Sequence, residues 1–146
     1  MPVKAAFQGW LLIVLLVLVS VYDIRKRMIP DQLQIAIACL AALNDSWITL
    51  LGIFGALPYL CVVYVSDDGI GGGDIKLAAS TGLVFGLAAS LTASLLGLAA
   101  FTAFGVTCSC IRRLHGQKGR TAFPVGPFLA AGSAAAYFMK IGGLIL

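Results

Sequence analysis

The chain contains no glutamate, a single histidine and far too little charge for an ordinary soluble domain. All six acids among its 146 residues are aspartates, and only 11% of positions are charged. Soluble domains run at about 25% charged and 45–50% apolar, whereas 60% of this chain is hydrophobic and its mean hydropathy is +1.01. Once the apolar runs are set aside, no soluble body remains, which excludes a single anchor carrying a water-soluble domain. The four cysteines (Cys39, Cys61, Cys108 and Cys110) form no CxxC pair. Thiols two apart on a helix do not face each other, so no metal or redox site is expected and they read as buried small hydrophobes. A net charge of +4 would suggest nucleic acid in a soluble protein. In so apolar a chain it records topology, and no nucleic-acid partner is expected.

What is present is a series of apolar stretches cut by short polar breaks. A crossing needs about 17–25 apolar residues at roughly 1.5 Å each. Residues 5–22 make one crossing. The basic stop that follows and the lack of a small-residue cleavage site mark them as a retained helix, not a secretory signal. Between Lys76 and Arg112 lie 35 residues without charge, about 50 Å as helix, so this stretch must fold back, near "LAASLTAS". The stretch from Asp31 to Val65 breaks at "NDSW", where Asn, Asp and Ser favour a turn. The expectation is an all-α, polytopic integral membrane protein forming one domain over residues 1–146. About six transmembrane helices are expected, at 5–22, 31–43, 46–66, 75–88, 91–111 and 125–145.

Charge placement gives an independent orientation. Loops one, three and five hold Arg25, Lys26, Arg27, Lys76, Arg112, Arg113, Lys118 and Arg120, eight of the ten basic residues. Cytoplasmic loops accumulate Lys and Arg, so these loops face the cytoplasm and both termini face outside. Trp10 and Trp47 then fall near the outer ends of their segments, as interfacial anchors do. Asp23 ends the first crossing and Asp74 begins the fourth, so parity puts both carboxylates at the cytoplasmic face.

Ionisable groups at the edge of a membrane segment are costly and point to function. Each aspartate alone could be a helix cap or a partner for neighbouring Arg or Lys. Two carboxylates brought close cannot both ionise easily, so one keeps its proton and the pair can work as acid and base. Asp74 stands in "GIGGGDIKL" (69–77), whose glycines allow close backbone approach and positive φ. A phosphate loop would need G-x-x-x-x-G-K-[ST] after a strand. Here Asp74 follows the last glycine and would repel phosphate.

The residues that carry this pattern have a family resemblance. "GGGD" at 71–74 matches the GxGD signature of intramembrane aspartic proteases, and the wider context resembles the prepilin peptidases, or type IV leader peptidases. "DIRKRMIP" matches the family's first aspartate stretch at Asp23, Arg25, Ile29 and Pro30. "GGGDIKL" matches the second at Gly71, Gly73, Asp74, Lys76 and Leu77. "PVGPFLAAG" matches its late proline–glycine–proline stretch at Pro124, Gly126, Pro127 and Phe128. The resemblance implies a membrane endopeptidase that removes the short basic leader of prepilin or pseudopilin precursors after a Gly, at the cytoplasmic edge of the bilayer. It makes Asp23 and Asp74 the catalytic pair, with no metal and no cofactor. It also implies the cytoplasmic membrane of a prokaryote and a pilus or type II-like secretion machinery in the same pathway. Larger members carry a cytoplasmic insertion with paired CxxC motifs and methylate the new N-terminus. Only seven residues separate Asp23 from Asp31 here, so N-methyltransferase activity is not expected, and the short form most resembles Flp/Tad-type peptidases.

Some residues stay open between roles. Lys76 is either an electrostatic partner near the site or a snorkelling anchor. Asp67 and Asp68 compete with Asp23 as the second carboxylate on spacing alone, His115 belongs to a solvated basic loop, and Pro124 and Pro127 restrict the entry to the last helix. The competing functions are a small multi-helix transporter or channel and a secretion-system assembly subunit. No charged residue occupies the middle of a predicted span, whereas a proton relay needs a titratable group near the midplane.

Overall fold

The computed structural model describes residues 3–44, 46–65, 71–114 and 124–144. The described residues form α1 (Val3–Lys26), α2 (Asp31–Cys39), α3 (Leu57–Val65), α4 (Gly72–Phe85), α5 (Leu87–Leu114) and α6 (Gly126–Ile141). A 3₁₀ turn, Leu40–Leu43, prolongs α2, and a 3₁₀ segment, Trp47–Ala56, runs directly into α3. None of the described residues forms a strand.

Each expected crossing therefore coincides with a helical segment, but the segments are unequal. Ala6–Lys26, Trp47–Val65 and Leu87–Leu114 are long and apolar enough to cross a membrane. The Asp31–Leu43 segment is shorter, as are α4 with 14 residues and α6 with 16. These three reach only about 20–24 Å, against a hydrocarbon core of about 30 Å. On length and composition, three full spans and three shorter helices stand where six crossings were expected.

The segments nonetheless alternate in direction between the same two ends. At one end Gln34 Nε2 donates to the carbonyl of Gly73 at 3.1 Å, Lys76 meets Asp31, and the Gly126 amide meets Asp23. At the other, Gln8 reaches the Leu40 carbonyl at 2.9 Å and Lys140 Nζ reaches the Phe85 carbonyl at 2.6 Å. Between them lies a core that includes Leu12, Leu16, Val19, Tyr59, Leu77 and Leu129.

Two local devices make this packing possible. The chain reverses at Gly86, the single residue between α4 and α5, with φ of 84°. Only glycine adopts that conformation without strain, so the fold-back falls just before the "LAASLTAS" stretch expected to hold it. The second is the 3₁₀ segment, whose ten residues exceed the usual run of about 3–4. Its period of three stacks Thr49, Gly52 and Gly55 in one line. Along that line Thr49 lies beside Gly86, Gly52 beside the Gly82 backbone, and Gly55 beside Ser90. Small residues let membrane helices approach backbone to backbone.

The carbonyls left open where α4 ends are satisfied by side chains. Asn44 Nδ2 lies 3.1 Å from the Leu83 carbonyl, 3.2 Å from that of Val84 and 3.1 Å from Thr49 Oγ1, while its Oδ1 accepts from Gln8 at 3.0 Å. Asn44 and Ser46 are non-helical and separate the two 3₁₀ segments, with Ser46 Oγ capping the second at Ile48 N, and Asn44 also ties four elements together. Asn44→Leu is expected to destabilise the protein by about 2–3 kcal/mol, because it strands buried carbonyls in an apolar setting. Thermal unfolding in detergent checks this, and an unchanged midpoint would show that the hub contributes nothing.

Exposure corrects one expectation. Cys39, Cys61 and Cys110 are exposed and Cys108 is half-buried, so they are not core residues. In a membrane bundle the apolar faces also point outward, where lipid is as apolar as the interior. Trp10 and Trp47 are exposed as well, close to Gln8 and Asn44 at one end of the bundle.

Candidate active site

Asp23 sits near the C-terminal end of α1, where a helix favours cations, and Arg25 and Lys26 follow in the last turn. The helix closes when Arg27 N donates to the Asp23 carbonyl at 2.8 Å. Arg27 has φ of 52°, a left-handed conformation uncommon for a residue other than glycine. Pro30, in extended conformation, then starts α2. The four residues between α1 and α2 thus turn the chain without leaving the rim.

Asp74 lies in the first turn of α4, ahead of the apolar stretch 75–88. Its N–H donates to the Gly71 carbonyl at 3.0 Å, and its Oδ2 accepts from the Gly71 amide at 3.3 Å. It is therefore a helix cap in fact, with one oxygen. Its other oxygen, Oδ1, is buried and makes no hydrogen bond within the chain, which is uncommon for a buried polar atom and calls for a reason.

Both carboxylates line one open cavity of about 320 Å³ at this end of the bundle, with Arg27, Met28, Ile29, Asp31, Gly71, Gly72, Gly73 and Lys76. Asp23 and Asp74 are both buried, 7% and 8% exposed. Burial first, and then the neighbouring Asp23 charge, push the Asp74 carboxyl up from 3.8 to about 6, against the lowering effect of the Gly71 amide. The parity argument's central claim, two aspartates at one end, matches this geometry. Asp67, Asp68 and His115 lie outside the described residues.

The remaining candidates divide. Lys76 Nζ pairs with Asp31 Oδ1 at 2.9 Å, with both side chains largely exposed. It bridges α4 to α2 on the cavity rim and is not bonded to Asp74; exposed pairs of this kind add little stability. Arg25 is exposed and does not line the cavity, whereas Arg27 does. Pro127 is in the first turn of α6, where its missing N–H costs nothing, and Pro124 is half-buried just before it. Gly71 and Gly73 do not serve the backbone role expected of them. The described glycines with positive φ are Gly86 and Gly143. A Cβ at Gly71 or Gly73 would meet only ordinary contacts, and one at Gly72 would meet nothing within 4 Å. These glycines leave open room beside Asp74 and do not permit a strained turn.

Sequence reasoning missed Arg27 and Gln34. A buried glutamine in an apolar helix was the available signal for Gln34, since buried amides in membrane segments need partners. Nothing local marks Arg27 over its basic neighbours.

The raised Asp74 value has a measurable consequence. A carboxyl whose folded-state pKa lies above its ordinary one favours the folded state in its protonated form. Its contribution is complete below about 3.8 and is lost as pH rises through about 6. Lowering pH from 7.5 to 5 should therefore raise the thermal midpoint through this group, by about 1.4 kcal/mol of stability, since pH 5 lies about one unit below the folded-state value. Asp74→Asn should flatten that rise, and an identical pH response in the variant would overturn the assignment.

The "Prepilin leader peptidase/N-methyltransferase" of Bacillus subtilis (strain 168) is 34% identical over 139 residues, covering 90% of this chain and 55% of that protein. The protein of the same name from Burkholderia pseudomallei (strain 1026b) is 29% identical over 150 residues, covering 94% of this chain and 48% of the relative. The chain thus spans about half the length of the curated relatives it matches. No solved structure matches it significantly. The family model for the type IV leader peptidase family matches residues 10–107, a stretch that contains Asp23 and Asp74. The all-helical fold, its membrane-spanning segments and this match together show that the chain belongs to the type IV leader peptidase family.

Proposed function

We propose that this chain is a membrane-embedded aspartic endopeptidase, a single peptidase domain that removes the basic leader of prepilin-like precursors after a Gly. The observation that carries the reading is the convergence of Asp23 and Asp74, buried and from separate helices, on one open cavity at one end of the bundle. Among the described residues, no Ser, Cys, Thr or His lines that cavity.

The chemistry follows from one shared proton. The ionised carboxylate of the pair takes a proton from a water molecule, whose oxygen attacks the scissile carbonyl carbon. The protonated partner donates to the carbonyl oxygen as it gains charge. Collapse of the tetrahedral intermediate breaks the C–N bond, and the proton held by the first carboxylate passes to the leaving amine. Burial of both aspartates strengthens these interactions, and the side-chain-free Gly71–Gly73 edge leaves room for an extended substrate backbone beside Asp74.

Arg25, Lys26, Lys76, Arg112 and Arg113 all lie near the helix ends of α1, α4 and α5 that flank the odd-numbered loops. The bias of Lys and Arg to cytoplasmic loops supports placing the cavity at the cytoplasmic face of a prokaryotic inner membrane, with six crossings and both termini outside. A precursor helix beside the bundle would present its leader junction at that level. The pathway would be that of a pilus, of Flp type, or of a related secretion machinery. The proposal covers the peptidase step alone. Transport is disfavoured because the two aspartates gather at one end of the bundle.

Co-expression with a precursor carrying a basic leader, a Gly and an apolar helix tests the proposal. The expected result is a faster-migrating product whose new N-terminus begins just after the Gly. Unprocessed precursor alongside correctly inserted protein would refute it.

A further inference from the structure

The Asp23 carboxylate is held from a third helix, by a residue 103 positions further along the chain. The Gly126 N–H donates to Asp23 Oδ2 at 2.8 Å, a contact buried from solvent. The same residue leaves no space for a side chain. A Cβ built on Gly126 would stand 2.7 Å from Asp23 Oδ2 and 2.9 Å from both its Cβ and its Cγ. Gly71 and Gly73, beside Asp74, meet nothing closer than 3.5 Å by the same measure.

We infer that Gly126 is a positioning residue for the reaction: its amide and its missing side chain together fix which way the Asp23 carboxylate faces. The inference rests on reading Asp23 as one of the catalytic pair.

The local sequence explains why this position can do it. Gly126 opens α6, so its amide is one of the first-turn donors that no helical carbonyl can satisfy. Pro127, next in the chain, has no N–H to compete, and Val125 O already accepts from Phe128 and Leu129. A residue before proline ordinarily avoids helical conformation because its Cβ and N–H crowd the proline ring. Glycine at 126 removes the Cβ part of that conflict, so the helix can begin there and aim its free amide at Asp23. The Phe128 ring packs against Phe101 and Phe104, with centroids at 5.8 and 5.1 Å, which anchors this end of α6 to α5. One oxygen of Asp23 is thereby committed to the amide. Asp74 is likewise held, with Oδ2 on the Gly71 amide and Oδ1 unbonded. Each carboxylate is clamped through one oxygen by the amide of a glycine.

Gly126→Ala forces Asp23 to rotate away, and misplacement of about 1 Å can cost about 10²-fold in rate. The expected result with a leader–Gly–apolar-helix peptide in liposomes is a kcat lowered by about that factor, with KM changed little. Gly132→Ala serves as the structural control. Its Cβ would meet the Ala93 carbonyl at 2.6 Å and the Gly97 backbone at 2.7 Å, so it should lower stability without lowering kcat per folded molecule. A thermal double-mutant cycle supplies a readout independent of activity. The stability lost on Gly126→Ala should largely vanish in an Asp23→Gly background, which removes the Cβ, Cγ and Oδ2 that the new side chain would meet.

Unchanged kcat in Gly126→Ala, with Asp23→Asn inactive, would overturn the positioning role and leave the aspartate pair standing. A purely additive thermal cycle would overturn the contact itself. Full cleavage by Asp23→Asn would overturn the pair and, with it, any catalytic use of the contact.

Discussion

Asp23→Asn and Asp74→Asn should each lower leader cleavage by about 10³-fold or more, since each removes a group needed for proton transfer to or from the reacting atoms. Asparagine keeps the shape and one acceptor oxygen, so the amides of Gly126 and Gly71 retain partners. Both variants should therefore insert and fold. Asp74→Asn should even gain stability at neutral pH, because burial and the Asp23 charge both oppose its ionised form. Loss of activity together with equal or greater stability separates a catalytic aspartate from a structural cap, whose removal costs about 0.5–2 kcal/mol. Asp68→Asn is the informative comparison, because spacing alone cannot rank it below Asp23. Inactivity in Asp68→Asn with activity kept in Asp23→Asn would transfer the role.

The largest expected effect on folding comes from one crossing point. At Gly52 and Gly82 a Cβ on either residue would overlap the carbonyl oxygen of the other. Backbone cannot rotate aside as a side chain can, so Gly82→Ala should destabilise by about 3 kcal/mol or more, at the upper end of overpacking costs. Gly105, within α5, meets nothing within 4 Å. Gly105→Ala should be neutral, or stabilising by up to about 1 kcal/mol, from helix propensity and reduced unfolded-state entropy. Thermal midpoints of the two variants in the same detergent check the pair. Similar midpoints would mean that the 3₁₀ segment and α4 do not pack through these glycines.

The helical segments, their breaks and the gathering of basic residues at the odd-numbered loops were legible in the chain. Each depends on local composition, and apolar runs separated by Asn, Asp, Ser or Gly carry that information residue by residue. The meeting of Asp23 and Asp74 at one end was legible for a related reason, since counting reversals between two positions requires no knowledge of packing. Three readings failed, and all three concerned what surrounds a residue. The cysteines are not buried, because hydropathy cannot tell an inward face from an outward one when both are apolar. Gly71 and Gly73 do not take positive φ, which among the described glycines falls at Gly86 and Gly143. Span length was overestimated for the last segment, because hydropathy continues past Ile141, where α6 stops.

The sequence by itself determined a helical membrane protein with two aspartates at a common end and a late Pro-x-Gly-Pro turn. Only the tertiary structure decided that Gly126 holds one oxygen of Asp23. That contact joins residues 103 positions apart through the relative height and rotation of α1 and α6. Those are set by the summed packing of every helix between them, which no local pattern encodes.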